Sequence, residues 1–160
     1  MPGIEPFKRF SDLAGVRIIF YNKTDMKKAI KLFKNSGDFV DFKQGGVPQP
    51  DDRFAEYKYR AIHFDVVLDP DKRCSLPEYC MLNEIPCEIQ FRTIFAHSWS
   101  KVHHALSYKQ MDEMNLSTGE QQQLDTDFKE AAKNLESIEQ QITDLCAKYY
   151  PNTKSISNAN

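Results

Sequence analysis

The feature that most constrains this chain is a change of hydrophobic period between Cys87 and Lys109. From Ile85 to Arg92 apolar and polar residues alternate, so Ile85, Cys87, Ile89 and Phe91 share one face of a strand while Glu88, Gln90 and Arg92 share the other. From Phe95 the period becomes helical. Phe95, Trp99, Val102 and Leu106 recur at 4-3-4 spacing as an apolar stripe. His97, Lys101, His104 and Tyr108 repeat that spacing two residues on, on roughly the opposite face. Taken alone, a half-solvated strand leading into an amphipathic helix accounts for the pattern. The competing reading is a strand whose polar face, an acid, an amide and a cation, is the floor of a site.

The rest of the chain supplies neighbours for that strand. Residues 1–10 are a short polar lead-in. Ser11-Asp12-Leu13-Ala14-Gly15 precedes a strand over Val16–Tyr21, with Val16, Ile18 and Phe20 on one face and Arg17 and Ile19 on the other. Thr24 is placed to cap a helix over Asp25–Asn35, whose stripe is Met26, Ala29, Ile30 and Phe33 and whose lysines form a wet face. A short strand is expected at Phe39–Phe42. The polar loop Lys43–Glu56 that follows is long enough to be functional or mobile. Tyr57–Leu68 alternates again, with Ile62, Phe64, Val66 and Leu68 opposed to Tyr59, Ala61, His63, Asp65 and Val67. Asp69-Pro70-Asp71 reads as a turn, and one helical turn is expected around Leu76–Met81.

Ser117 with Glu120 forms a capping box that opens a helix to about Tyr149. Leu124, Phe128, Ala131, Leu135, Ile138, Ile142, Leu145 and Tyr149 form a heptad seam along it, which must be buried on this chain or on a partner. Homo-oligomerisation through this helix (117–150) is one expectation. Pro151 ends the helix, and 151–160 reads as a disordered tail.

A length of 160 residues suits one domain with a real core. A net charge of −2 excludes a global basic field for non-specific nucleic-acid binding, though not a local basic groove. Neither a membrane span nor a signal peptide is legible, so a cytoplasmic location is expected. Cys74, Cys80, Cys87 and Cys146 contain no C-x-x-C pair and are read as thiols, with Cys87 in the core.

Three segments together resemble one family. Asp12-Leu13-Ala14-Gly15-Val16-Arg17-Ile18-Ile19, then Tyr59-Arg60-Ala61-Ile62-His63, then Glu88-Ile89-Gln90-Phe91-Arg92-Thr93 backed by Trp99, His104, Tyr108 and Lys109 look like the RelA/SpoT alarmone synthetase domain. The resemblance spans residues 11–109. His97-Ser98-Trp99 resembles the small single-domain and toxin-like members. The resemblance implies an α/β (α+β) fold, a mixed sheet flanked by helices as in nucleotidyltransferases. It also implies transfer of pyrophosphate from ATP to the 3′ hydroxyl of GDP or GTP with Mg2+. By the same resemblance Asp12 and Glu88 are the magnesium-binding and catalytic carboxylates. Arg17 stacks on adenine, Tyr59 stacks on guanine, His63 belongs to the acceptor phosphate loop and Gln90 to the acceptor pocket. Arg92 belongs to the same nucleotide-binding block, and His97 falls where other members contact guanine. If Asp12 and Glu88 share a metal, their strands must be neighbours in the sheet.

The chain departs from the family in three places, the smallest being His103 where a glutamate usually precedes His104. The family's donor site uses an arginine and lysines a dozen or more residues upstream of the aspartate, and eleven residues precede Asp12, so part of the ATP site is expected to be missing. In the acceptor loop Lys58 replaces a glycine, Ala61 a serine and Ala55 a lysine, leaving Arg53 or Lys58 as the substitute cation. Two other readings therefore stand beside the alarmone synthetase. One is a toxin-type relative that pyrophosphorylates the tRNA 3′ end. The other is a domain that binds nucleotide or a protein partner without catalysis.

Overall fold

The structure is a computed structural model that describes residues 14–51, 61–73, 77–80, 85–108 and 116–150. The alternation at the centre of the chain becomes the inner strand β4 (Cys87–Thr93). Around it lie β1 (Ala14–Phe20), β3 (Ile62–Leu68) and β2 (Phe39–Asp41), in the sheet order β1-β4-β3-β2. β4 is parallel to β1 and antiparallel to β3, and β3 is antiparallel to β2. The fold is thus the expected mixed sheet flanked by helices.

One sheet face carries the core. Phe64, Val66, Ile89 and Phe91 are buried there beneath Met26, Ala29, Ile30 and Phe33 of α1 (Lys23–Asn35), the stripe read from the sequence. Phe33 is the hub: its ring lies 5.4, 5.1 and 5.5 Å from those of Phe39, Phe64 and Phe91. Tilted and edge-on pairs of this kind add to the stabilisation from burial itself. Cys87 packs against this cluster, and burial pushes its thiol pKa up. The helix begins earlier than expected. Asn22, not Thr24, is the cap: its side chain accepts from the Asp25 N–H at 2.9 Å and donates to the Asp25 carboxylate at 2.8 Å. An asparagine that closes both bonds is the stronger cap.

β4 passes into α4 (Ile94–Tyr108) without a loop, because Thr93 Oγ1 accepts the Ala96 N–H at 3.2 Å and caps the new helix. A second cluster joins Trp99 to Phe128 and Ala132 of α5 (Thr118–Tyr149), with Leu124 and Leu135 beside them. The capping box of Ser117 and Glu120 forms as read. Trp99 is a core residue, as expected. One-turn helices α2 (Pro70–Arg73) and α3 (Pro77–Cys80) occupy the connection before β4. Among the described residues no helix is long and apolar enough to cross a membrane.

Both long helices bury the first part of the line periodicity suggested and depart from it farther along. On α4, Val102 and Leu106 are exposed, while Ala96 and Trp99 are buried and His103 meets the Phe128 ring at 4.8 Å. The flank that meets α5 carries Ala96, Trp99 and His103. On α5, Phe128 and Leu135 pack as expected, but Ile138, Leu145 and Tyr149 are exposed and Glu139 and Thr143 are buried. The reason is polar pairing. Thr93 donates its hydroxyl to Glu139, Lys23 Nζ lies 3.3 Å from Glu139 Oε2 and 3.1 Å from Glu136 Oε1, and the Lys23 N–H reaches Thr143 Oγ1 at 3.4 Å. Those bonds tie α5 to the start of α1 and the end of β4, and they set which side of the helix faces inward.

The segment after β2 is pinned, not loose, over residues 42–51. The buried Asp41 carboxylate accepts the backbone N–H groups of Lys43, Gln44 and Gln49 at 2.9, 2.9 and 3.1 Å. Gly45 and Gly46 turn the chain at φ 71° and 72°, a region glycine enters without strain. Phe42 and Asp51 then donate backbone N–H groups to Asp65 and His63, each at 2.9 Å, so the loop leaves and rejoins one edge of β3.

Candidate functional site

The second sheet face is polar, and strand register sets its layout. Arg17 pairs with Gln90, and Gln90 with His63. Glu88 is opposite Gly15 on one side and Asp65 on the other. Side chains of paired residues project to the same face. Three strands therefore bring Arg17, Gln90, Glu88, His63 and Asp65 together, although they are far apart in sequence. The adjacency required for carboxylates before β1 and on β4 to share an ion holds for the strands themselves, because β1 and β4 are paired. Asp12, Lys58 and Tyr59 lie outside the described residues.

A hydrogen-bonded chain crosses this face. Arg17 Nε donates to Gln90 Oε1 at 2.9 Å, and Gln90 Nε2 donates to Glu88 Oε1. Glu88 Oε2 lies 3.2 Å from His63 Nδ1. The glutamine thus fixes one oxygen of Glu88 and is itself fixed by a guanidinium. Burial pushes the His63 pKa below the usual imidazole range and outweighs the opposing pull of Glu88, so the ring is neutral near pH 7. A neutral His63 leaves the Glu88 charge unspent.

Toward α4 the face becomes cationic. Burial, reinforced by the charges of Arg17, Arg92 and Lys101, pushes the His97 pKa down. Arg92 is nearly enclosed and ties β4 to the helix through Ser100 Oγ at 2.9 Å. Arg17 and Lys101 are more exposed. Guanidinium and ammonium groups on one wall, with a carboxylate at the centre, form a field that attracts phosphate and leaves one basic oxygen pair inside it.

Toward β2 the charges are opposite in sign, and periodicity alone gave no role to the residues there. Asp65 is buried next to Glu88, and Lys43 Nζ lies 2.7 Å from its Oδ2 and 3.3 Å from Asp51 Oδ2. The Lys43 pKa is raised, first by its bond to Asp65. Asp65 shared a predicted face with His63. Its approach to Glu88 needed the register, and Lys43 needed the loop to fold back. Asp41, Lys43, Gln44, Gln49, Pro50, Asp51 and Asp65 line a cavity of about 290 Å3 there. A larger cavity, about 550 Å3, opens elsewhere, between α1, the sheet and α5, and contains none of Arg17, His63, Glu88, Gln90 or Arg92. Of the lysines that line it, Lys23 and Lys129 already face carboxylates.

Known proteins share the fold. No curated protein matches the chain. The product-bound small alarmone synthetase 1 from Bacillus subtilis is 18% identical, with a TM-score of 0.64 over 92% of this chain and 69% of that one. Small alarmone synthetase 2 from the same organism is 20% identical, with a TM-score of 0.57 over 86% of this chain and 66% of its own. A GTP pyrophosphokinase family protein from Streptococcus pneumoniae is 20% identical, with a TM-score of 0.54 over 95% of this chain and 77% of that one. This chain thus spans roughly two thirds to three quarters of those proteins, and at such identities the likeness is one of fold. The family model described as the region found in RelA / SpoT proteins matches residues 3–113, which cover β1 to α4 and the whole polar face. That match takes in more than half of the chain, and the chain belongs to the RelA/SpoT family.

Proposed function

We propose that this chain carries the catalytic face of an alarmone synthetase, which transfers pyrophosphate from ATP to the 3′ hydroxyl of GDP or GTP. The observation that carries the reading is the placement of Glu88. It stands on an inner strand, one of its oxygens accepts from Gln90 and the other lies beside a neutral His63, and Arg17, Arg92, His97 and Lys101 lie to one side. The family membership and the alarmone synthetase fold support the same reading.

In this reaction the acceptor 3′ oxygen bonds to the β-phosphorus of ATP. The bond from that phosphorus to the α–β bridging oxygen breaks and AMP leaves. The hydroxyl proton passes to Glu88. Most of the catalysis is alignment and charge stabilisation. Arg17 offers its guanidinium plane to adenine, and its bond to Gln90 keeps that plane at the edge of the site. His97 and Tyr59 serve the guanine base. His63, Lys58 and Gln90 serve the acceptor side, and Arg92 holds α4 against the floor. Glu88 is a hard oxygen donor with no cation bonded to it among the contacts above, and Mg2+ is bound through one or two carboxylates plus phosphate oxygens. Glu88 with Asp12 would hold that ion, which neutralises phosphate charge when bound.

The test is incubation of the chain with Mg2+ and γ-labelled ATP plus GDP, GTP or deacylated tRNA. Label in a guanosine product is the expected result. Label on tRNA would reassign the acceptor, and label in neither refutes the transferase reading. Glu88→Gln should abolish transfer and leave the circular dichroism spectrum unchanged. Retained transfer would sink the role of Glu88.

A further inference from the structure

Glu88 is not the only carboxylate on the polar floor. Asp65 is its register partner on β3, and paired residues on an antiparallel ladder sit about 4.5–5.5 Å apart. Asp65 is 7% exposed, and a second anion so placed would repel any phosphate-bearing ligand and compete with Glu88 for cations. The chain answers this with a cation of its own. Lys43 reaches across from the pinned segment 42–51, and its ammonium sits 2.7 Å from Asp65 and 3.3 Å from Asp51. The backbone explains how one lysine meets both. Asp41 gathers three N–H groups of the loop, and Phe42 and Asp51 bond back to Asp65 and His63, so the root of the Lys43 side chain is fixed against β3.

We propose that Lys43 is a positioning residue of the nucleotide site: it acts through Asp65, offsetting that carboxylate and bracing the loop, so that of the register pair Glu88 and Asp65 it is Glu88 that presents its charge to a phosphate-bearing ligand. The proposal rests on the nucleotide reading given above and adds to it a residue outside the matching motifs. A lysine with only a structural role would lower stability and leave the affinity of the folded protein unchanged. A charge-compensating lysine predicts a different pattern. Removing it weakens binding of anionic nucleotide, and removing Asp65 as well restores binding although two native contacts are then gone.

The experiment is equilibrium binding of ATP and, separately, GDP to the full chain by isothermal titration calorimetry, with thermal melts of each variant. Lys43→Met should weaken nucleotide binding roughly five- to tenfold, the effect of one partly exposed charge pair. Lys43→Arg should stay within about twofold of wild type, since it keeps the charge. Lys43→Met with Asp65→Asn should recover most of the loss. In the transfer assay Lys43→Met should raise KM and leave kcat within about twofold, as for lost ground-state binding. A Lys43→Met variant that binds like wild type, or a double variant no better than the single one, overturns the role of Lys43 and leaves the transferase reading standing. Wild-type protein that binds nucleotide but transfers nothing overturns the transferase reading and leaves the affinity comparison intact. Failure of the wild type to bind either nucleotide overturns both. If Lys43→Met does not fold, Lys43→Gln, alone and together with Asp65→Asn, decides the question by the same comparison, since the charge argument requires the double variant to bind nucleotide more tightly than Lys43→Gln alone.

Discussion

Removing Lys23 tests the polar clasp that sets the rotation of α5. Its ammonium lies 3.3 Å from Glu139 and 3.1 Å from Glu136, and the Glu139 side chain is 1% exposed. Taking one partner from a buried ion pair costs about 3–5 kcal/mol, because the remaining charge stays buried. The Lys23 side chain is 22% exposed, so water can replace part of its contact, and the expected cost of Lys23→Met falls to about 2 kcal/mol. Glu139→Gln should cost less, about 1 kcal/mol, because the amide oxygen still accepts from Thr93 and Lys23 keeps Glu136 and solvent. In the Glu139→Gln background no buried charge is left to expose, so adding Lys23→Met should cost only about 0.5 kcal/mol. The cycle therefore predicts a coupling of about 1.5 kcal/mol between the two residues. Urea unfolding at neutral pH measures it, provided the slope of free energy against urea is the same in all four proteins. Costs that add within about 0.5 kcal/mol would refute the clasp, and with it the account of why Glu139 and not Ile138 faces inward.

Phe91→Ala should cost about 3–5 kcal/mol by chemical denaturation, because the ring is 2% exposed and touches Phe20, Phe33 and Phe64; a loss under about 1 kcal/mol would contradict the hub packing. Ser117→Ala should remove the α5 cap at a cost of about 1 kcal/mol, read from urea midpoints. The Glu120 carboxyl lies below its usual 4.5, first through its bond to the Ser117 hydroxyl, so its capping contribution is present above pH 4.5 and is lost as the pH falls through the lowered folded value. The Ser117→Ala protein should lose the larger share of that acid dependence and keep the share due to the Ser117 backbone N–H, and an identical acid limb in both proteins would count against the capping box.

How much of the site could be read from sequence depended on the kind of signal. Glu88, Gln90 and Arg92 share a face because a strand alternates, and that is local. His63 and Asp65 share a face for the same reason. That these two faces are one surface, with Arg17 on it, follows only from the pairing of β4 with both β1 and β3. The order of the motifs suggested it through a family resemblance, and periodicity did not. Lys43 was out of reach because its place depends on a loop that closes through Asp41 and on a bridge from Asp51 to His63.

The sequence by itself determined the elements: the strand that becomes a helix between Arg92 and Phe95, the α1 stripe of Met26, Ala29, Ile30 and Phe33, and the capping box at Ser117. Each follows from a period or a cap spanning a few residues, which neighbours in the chain supply. The tertiary structure alone decided where the buried line leaves the predicted stripe in the later turns of α4 and α5. The heptad seam offered Ile138 and Leu145, but the inward line runs through Glu139 and Thr143, because Lys23 and Thr93 meet them there. A hydrophobic period can specify a helix and its candidate face. The partners that satisfy a buried charge come from elsewhere in the chain, and at the end of α5 they set the orientation.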